Sequence, residues 1–239
     1  MSATAPTNPS ADTLAHRRGL MAIGAELHAR GWSLATSSNY SVTIGHDPLR
    51  LCVTASGKHK DRLTEADFVV VDDTGRPVDA DAPQSSAETK SSAEAKSSAE
   101  TKSSAETMLH VALARSAGAG AVLHTHSVWG TLLSDRCLEA GRVTIAGYEM
   151  LKALPGVATH DTAVDIPILP NTQDIDAMAV DLEQRLAASS DNRPMCAFLI
   201  HKHGLYTWAD GLDAARRQLE ALEFLFECEG RRLSAASAR

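Results

Sequence analysis

The sequence predicts a mixed β-sheet covered by helices, and three observations carry that expectation. Short apolar runs punctuated by turns fill the first third, helix and strand patterns alternate afterwards, and amphipathic periodicity marks both ends. The first helix is capped by Asp12, carries Leu14, Leu20, Met21, Ile23 and Leu27 at helical spacing, and stops at Gly31. Residues 1–11, rich in Ser, Ala, Thr, Asn and Pro, read as a mobile tail ahead of a single domain over 12–239. Ser41–Ile44, Leu51–Thr54 and Phe68–Asp72 read as strands separated by His46-Asp-Pro48, Ser56-Gly57 and Asp72–Gly75. A helix opened by Glu106 leads into a strand over 119–125. There follow a short helix near 127–134, a helix at about 147–153, a strand over 164–169 and a helix over 174–188. A strand pair then flanks His203-Gly204, and a last helix spans about 211–231.

Composition narrows the classes of function. With 239 residues and 44% hydrophobic content the chain can bury a full core. A net charge of −7 without a basic stripe, together with few aromatics, argues against nucleic acid as a partner. No apolar run is long enough to span a bilayer, so neither a membrane nor an export leader is expected, and the predicted compartment is the cytoplasm. Cys52, Cys137, Cys196 and Cys228 are scattered without metal or redox spacing and read as reduced thiols in the core.

His124-Thr125-His126 ends an apolar strand. Side chains two apart on a strand share a face, so both imidazoles can reach one ion; His203 supplies a third nitrogen. Three neutral nitrogens with an open fourth position are the ligand set of a catalytic zinc, which serves a small molecule as a Lewis acid. Such chemistry needs a base, and two carboxylates qualify: Glu106, before the metal strand, and Glu149, in Gly147-Tyr-Glu-Met-Leu-Lys152. Backbone amides of the turns Ser37-Ser-Asn39 and Thr54-Ala-Ser-Gly57 suit a phosphate group.

A hexapeptide recurs four times over 85–108, from Ser85-Ser-Ala-Glu-Thr-Lys90 to Ser103-Ser-Ala-Glu-Thr-Met108. Without bulky apolar residues it cannot stack as a solenoid. Three extra copies add 18 residues, five whole helical turns, and lacking an apolar stripe they are expected as a partly frayed, solvated segment.

The succession Ser38-Asn39-Tyr-Ser41, Thr54–Gly57, Ser104-Ala-Glu-Thr107 with Leu109-His110, His124–Ser127 and His203-Gly204 resembles the class II aldolase/adducin family. Within it, Gly147–Leu154, Thr159-His160, Asn171–Asp174, His203–Trp208 and Glu220–Cys228 are similar to the methylthioribulose-1-phosphate dehydratase branch. The resemblance implies a three-layer α/β/α class II aldolase-like fold with a central mixed, largely antiparallel sheet. It implies Zn2+ on His124, His126 and His203, Glu149 as catalytic acid/base, and Asn39, Ser56, Gly57, Ser104 and Glu106 around the substrate and its phosphate. It further implies a cytoplasmic homotetramer that dehydrates 5-methylthioribulose 1-phosphate in methionine salvage. The chain departs from the family in carrying Ser38 where many members have Gly, and in its repeat, whose last copy keeps the family register; family roles therefore fall on Ser104 and Glu106 and not on Glu88, Glu94 or Glu100. Two further readings stand beside the dehydratase: a fuculose- or rhamnulose-phosphate type aldolase, and a non-catalytic adducin-like module.

Overall fold

The computed structural model describes residues 9–79, 102–189 and 194–237. Residues 1–8 of the tail expected over 1–11 and most of the hexapeptide repeat lie outside the described residues, while residues 9–11 belong to the first helix. Eight strands form one sheet in the order β3-β2-β1-β4-β8-β7-β6-β5. They are β1 (Asn39–His46), β2 (Leu49–Thr54), β3 (Phe68–Val71), β4 (Ala121–Thr125), β5 (Arg142–Ala146), β6 (Ala163–Leu169), β7 (Ala197–Ile200) and β8 (Gly204–Ala209). The pair β6–β7 is parallel and the other neighbours run antiparallel, as expected of a mixed, largely antiparallel sheet.

Five helices cover the sheet: α1 (Pro9–Ala29), α2 (Thr107–Ser116), α3 (Val128–Arg136), α4 (Ile175–Ala188) and α5 (Leu212–Ser237). Strand alternation sorts them into two outer layers. Leu123 and Leu205 face Leu20, Leu27, Leu219 and Leu222 of α1 and α5, with Leu133 of α3 in the same core. Val122, Tyr206 and Trp208 point the other way, into a core with Leu109 and Leu113 of α2 and Met178 and Leu182 of α4. The result is the three-layer α/β/α arrangement.

The structure corrects several element boundaries. The first helix begins at Pro9, three residues before Asp12. The helix expected at 147–153 is a 3-10 turn over Glu149–Ala153. Strand β5 was not anticipated, although its buried Val143 and Ile145 alternate with exposed neighbours. Of the cysteines, all free, Cys52 and Cys196 are buried while Cys137 and Cys228 are only half-buried. In the last repeat copy Ser103 bridges Ala55, and the Ser56 N–H donates to the Lys102 carbonyl at 2.9 Å. That extended pairing means the copy does not enter α2 as continuous helix. No described helix is long and apolar enough to cross a membrane.

Candidate active site

One row across the sheet builds the site. Register places Asn39 of β1 opposite His124 of β4, His124 opposite Tyr206 of β8, and Tyr206 opposite Phe198 of β7. All four point to the α2/α4 face. His124 stacks on Tyr206, centroids 4.0 Å apart and planes 15° apart, and Tyr206 stacks on Phe198 at 4.9 Å. These contacts leave the His124 ring little rotational freedom. Its Nδ1–H donates to the Leu205 carbonyl at 2.9 Å, so Nε2 keeps its lone pair and faces His126 Nε2 at 2.8 Å.

His203 enters from the turn between β7 and β8. The Lys202 N–H donates to Ser134 Oγ at 2.9 Å and the Thr131 hydroxyl to the His203 carbonyl at 3.3 Å, so α3 fixes that turn. Gly204 is required there, because a Cβ would lie 2.0 Å from the Thr125 carbonyl oxygen. One ligand atom from each of His124, His126 and His203 lies within 4.8 Å of the others. Burial holds His124 well below the ordinary imidazole value, with His126 and His203 adding to the effect, and pushes His126 down to about 4. Converging imidazole nitrogens, those of His124 and His126 kept neutral by burial and the His124 ring oriented through its second N–H by a backbone carbonyl, fit a divalent metal ion.

Glu106 lies at the amino end of α2, but its side chain does not cap the helix. Its carboxylate turns into the site instead. Oε1 is 3.3 Å from His203 Nε2, Oε2 is 3.5 Å from His124 Nε2, and Oε2 accepts from Asn39 Nδ2 at 2.7 Å and from the Tyr206 hydroxyl at 3.1 Å. The cleft above is lined by Thr36, Ser37, Ser38, Asn39, Ala55, Ser56, Gly57, Ser104, Glu106, His126 and His203. The structure thus brings together Asn39, Ser56, Gly57, Ser104, Glu106 and the three histidines. Gly57 takes φ +71 in open space, which suits glycine. Ser38 takes φ +74, a left-handed conformation that glycine adopts more readily than serine.

Glu149 stands apart from this assembly. It opens the 3-10 turn after β5, its side chain is 71% exposed, and its carboxylate bonds to Lys152 Nζ at 2.5 Å and His160 Nδ1 at 3.1 Å. The Lys152 ammonium, with His160 beside it, holds its carboxyl below the ordinary value. Leu151 of the turn packs in the α1/α5 core, the layer opposite the histidine row. In sheet order β7, β6 and β5 lead away from β8, about 14 Å at the usual strand spacing.

The family model for the class II aldolase and adducin N-terminal domain matches residues 18–229. The chain belongs to this family. Among class II aldolase/adducin relatives, a protein named methylthioribulose-1-phosphate dehydratase from Xanthomonas campestris pv. campestris (strain 8004) is 39% identical over 242 residues, covering 100% of both chains. One of the same name from Alcanivorax borkumensis is 42% identical over 219 residues, covering 90% of this chain and 92% of the relative. Among solved structures, L-fuculose-1-phosphate aldolase from Thermus thermophilus superposes with a TM-score of 0.67 at 21% identity, covering 93% of this chain and 96% of that one. At that identity it supports the shared fold alone.

Tyr206 and His110 were not assigned a role from sequence, although both sit inside the family strings. Tyr206 sits two residues before Trp208 on one strand face, and that alternation was the available signal.

Proposed function

We propose that this protein is a lyase that removes water from 5-methylthioribulose 1-phosphate to give 2,3-diketo-5-methylthiopentyl 1-phosphate, a step of methionine salvage. The observation that carries the reading is the three-imidazole cluster, set in a chain similar along its whole length to proteins named for that reaction. Zn2+ is the proposed ion; held by His124, His126 and His203, it would supply Lewis acidity toward a carbonyl and the negative charge that develops beside it. The His124–Leu205 hydrogen bond and the Tyr206 stack fix the ligand direction before any substrate arrives. The Ser56 and Ser104 hydroxyls and the Gly57 turn line the cleft and suit the phosphate.

Glu149 is the proposed acid/base. Its carboxylate takes the proton from carbon 3, and the same proton leaves with the carbon-4 hydroxyl as water; the resulting enol becomes the 2,3-diketone. Its place on the opposite layer, several strands from the cluster, supports action in the cleft of a neighbouring copy. Val128, Leu132 and Leu138 beside α3, Met150 beside Glu149 and Phe224 on α5 are exposed apolar side chains that a homotetramer would cover. Within one chain Ala55 is the only aliphatic side chain lining the described cleft, so a methylthio tail also calls for a wall from outside it. The absence of a membrane-length helix among the described residues and the metabolic substrate support a cytoplasmic enzyme.

The deciding experiment incubates zinc-loaded protein with 5-methylthioribulose 1-phosphate and follows products by mass spectrometry. Loss of one water is expected. Retro-aldol fragments from fuculose or rhamnulose 1-phosphate, with no dehydration, would replace this reading with an aldolase.

A further inference from the structure

Asn39 has no spare donor. One amide hydrogen goes to Glu106 Oε2 at 2.7 Å and the other to Ser104 Oγ at 3.3 Å, while its Oδ1 meets His110 Nε2. His110 is fully buried on α2, and burial pushes its imidazole down to about 3, so the ring is neutral and carries one N–H. Its Nδ1 is 2.7 Å from Ser41 Oγ. These facts admit one consistent proton arrangement. An oxygen of Asn39 facing His110 requires an N–H at Nε2; Nδ1 is then an acceptor, and Ser41 donates to it. The opposite tautomer would turn the Asn39 amide over and set its carbonyl oxygen against the Glu106 carboxylate, two acceptors face to face.

We propose that His110 is a positioning residue: through Ser41–His110–Asn39 it fixes the nitrogen of the Asn39 amide toward Glu106 and thereby aims that carboxylate at the three-histidine cluster. This rests on reading the cluster as a metal site, and not on the identity of the substrate. Ser41 and Asn39 stand two apart on β1 and share a face, and α2 lays His110 over them while carrying Glu106 one turn earlier. The helix therefore brings both the carboxylate and the group that orients its donor. Tyr206 supplies the second donor to the same Oε2, so the relay governs one of two contacts and its loss should weaken the site without erasing it.

Two measurements test the relay. In metal-free protein with 15N-labelled histidine, the ring-nitrogen shifts of His110 should report a neutral Nε2–H tautomer throughout pH 5 to 8; an Nδ1–H tautomer overturns the proposal. Zinc titration of His110→Phe, which keeps a buried ring and loses both hydrogen bonds, should show binding weakened about tenfold or more, the usual scale for groups behind a metal site. His110→Gln, which can again offer an N–H to Asn39 Oδ1, should recover part of it. If His110→Phe does not fold, Ser41→Ala takes its place and should shift the His110 ring signals and weaken zinc in the same direction. Unchanged zinc affinity in a folded variant would sink the idea. Absence of dehydratase activity in the native protein, with the tautomer and zinc results as expected, would remove the proposed reaction and leave the relay standing.

Discussion

His124 is fully buried, with its ring stacked, one nitrogen bonded to a backbone carbonyl and the other facing His126, whereas Glu149 is 71% exposed and, among the described residues, pairs with Lys152 and His160. The cluster is over-determined by sheet register, aromatic stacking and two helices. The Glu149 turn is held by Leu151 and Leu154 in the core beneath, while the carboxylate proposed as acid/base lies at the surface against Lys152 and His160. Metal ligands must be placed before the ion arrives, so one chain builds them rigidly. An acid/base can be positioned by assembly instead.

Two substitutions with the largest expected effects separate these regions. Glu149→Gln should lower turnover by at least about 100-fold, the scale of a lost general acid/base, with zinc content unchanged by elemental analysis. His126→Ala should lose zinc and activity together. A Glu149→Gln protein that lost its zinc would make Glu149 a ligand and end the contrast between the two regions. Mixing sharpens it further: co-assembled Glu149→Gln and His126→Ala chains should regain measurable activity, because some clefts then pair an intact cluster with a neighbour's intact Glu149. If mixed oligomers stay as inactive as either parent, the two groups act within one chain.

Much of the cluster was legible because it obeys local rules. Two histidines on one strand share a face by the period of two, and the Ala119–Leu123 run announces a buried strand. Cross-strand register is a tertiary fact, and no local pattern says that Asn39, His124, Tyr206 and Phe198 form a row. Glu106 was open to reading as a helix cap because an acidic residue before an apolar helical run looks alike in either role; only β4 and β8 beneath it make the difference. A helix was expected at about 147–153, whereas Glu149–Ala153 closes as a 3-10 turn of five residues. In β5 the alternation is plain, but Arg142, Thr144 and Ala146 on its outer face gave too little apolar signal for an edge strand.

The buried histidine above the cluster predicts an acid limit. His110 is depressed to about 3 in the fold against about 6.5 unfolded, so the unfolded chain binds the extra proton in between. Its contribution is present above pH 6.5 and is lost as the pH falls toward 3. In urea melts of metal-free protein, wild type should therefore lose stability relative to His110→Phe, where folded, as pH falls from 6.5, since His124, His126 and Glu223 titrate alike in both.

The smallest expected effect lies under the same strand and runs the other way. Glu223 of α5 is buried, accepts from the Thr125 hydroxyl at 3.2 Å, and has no hydrogen-bond partner for Oε2 among the described residues. Burial raises its carboxyl to about 7, against which the Ser127 and Thr125 hydroxyls pull only in part. A carboxyl raised in the fold stabilises below the unfolded value of about 4.5, and that contribution is lost as pH rises through about 7. The histidine effect and this one overlap between pH 4.5 and 6.5 with opposite slopes, and the wild-type curve alone cannot divide them. The difference between wild type and Glu223→Gln can. The glutamine variant should gain on wild type by on the order of 2 kcal/mol between pH 5 and pH 8, while zinc affinity stays within about threefold because the Thr125 contact survives. A pH-independent difference would mean that Glu223 is ionised throughout, held by a charge or solvent that reaches the strand from below. The cluster would then be as electrostatically open on its helix side as Glu149 is on the surface, and the contrast between a closed ligand corner and an exposed acid/base would fail at its firmest point.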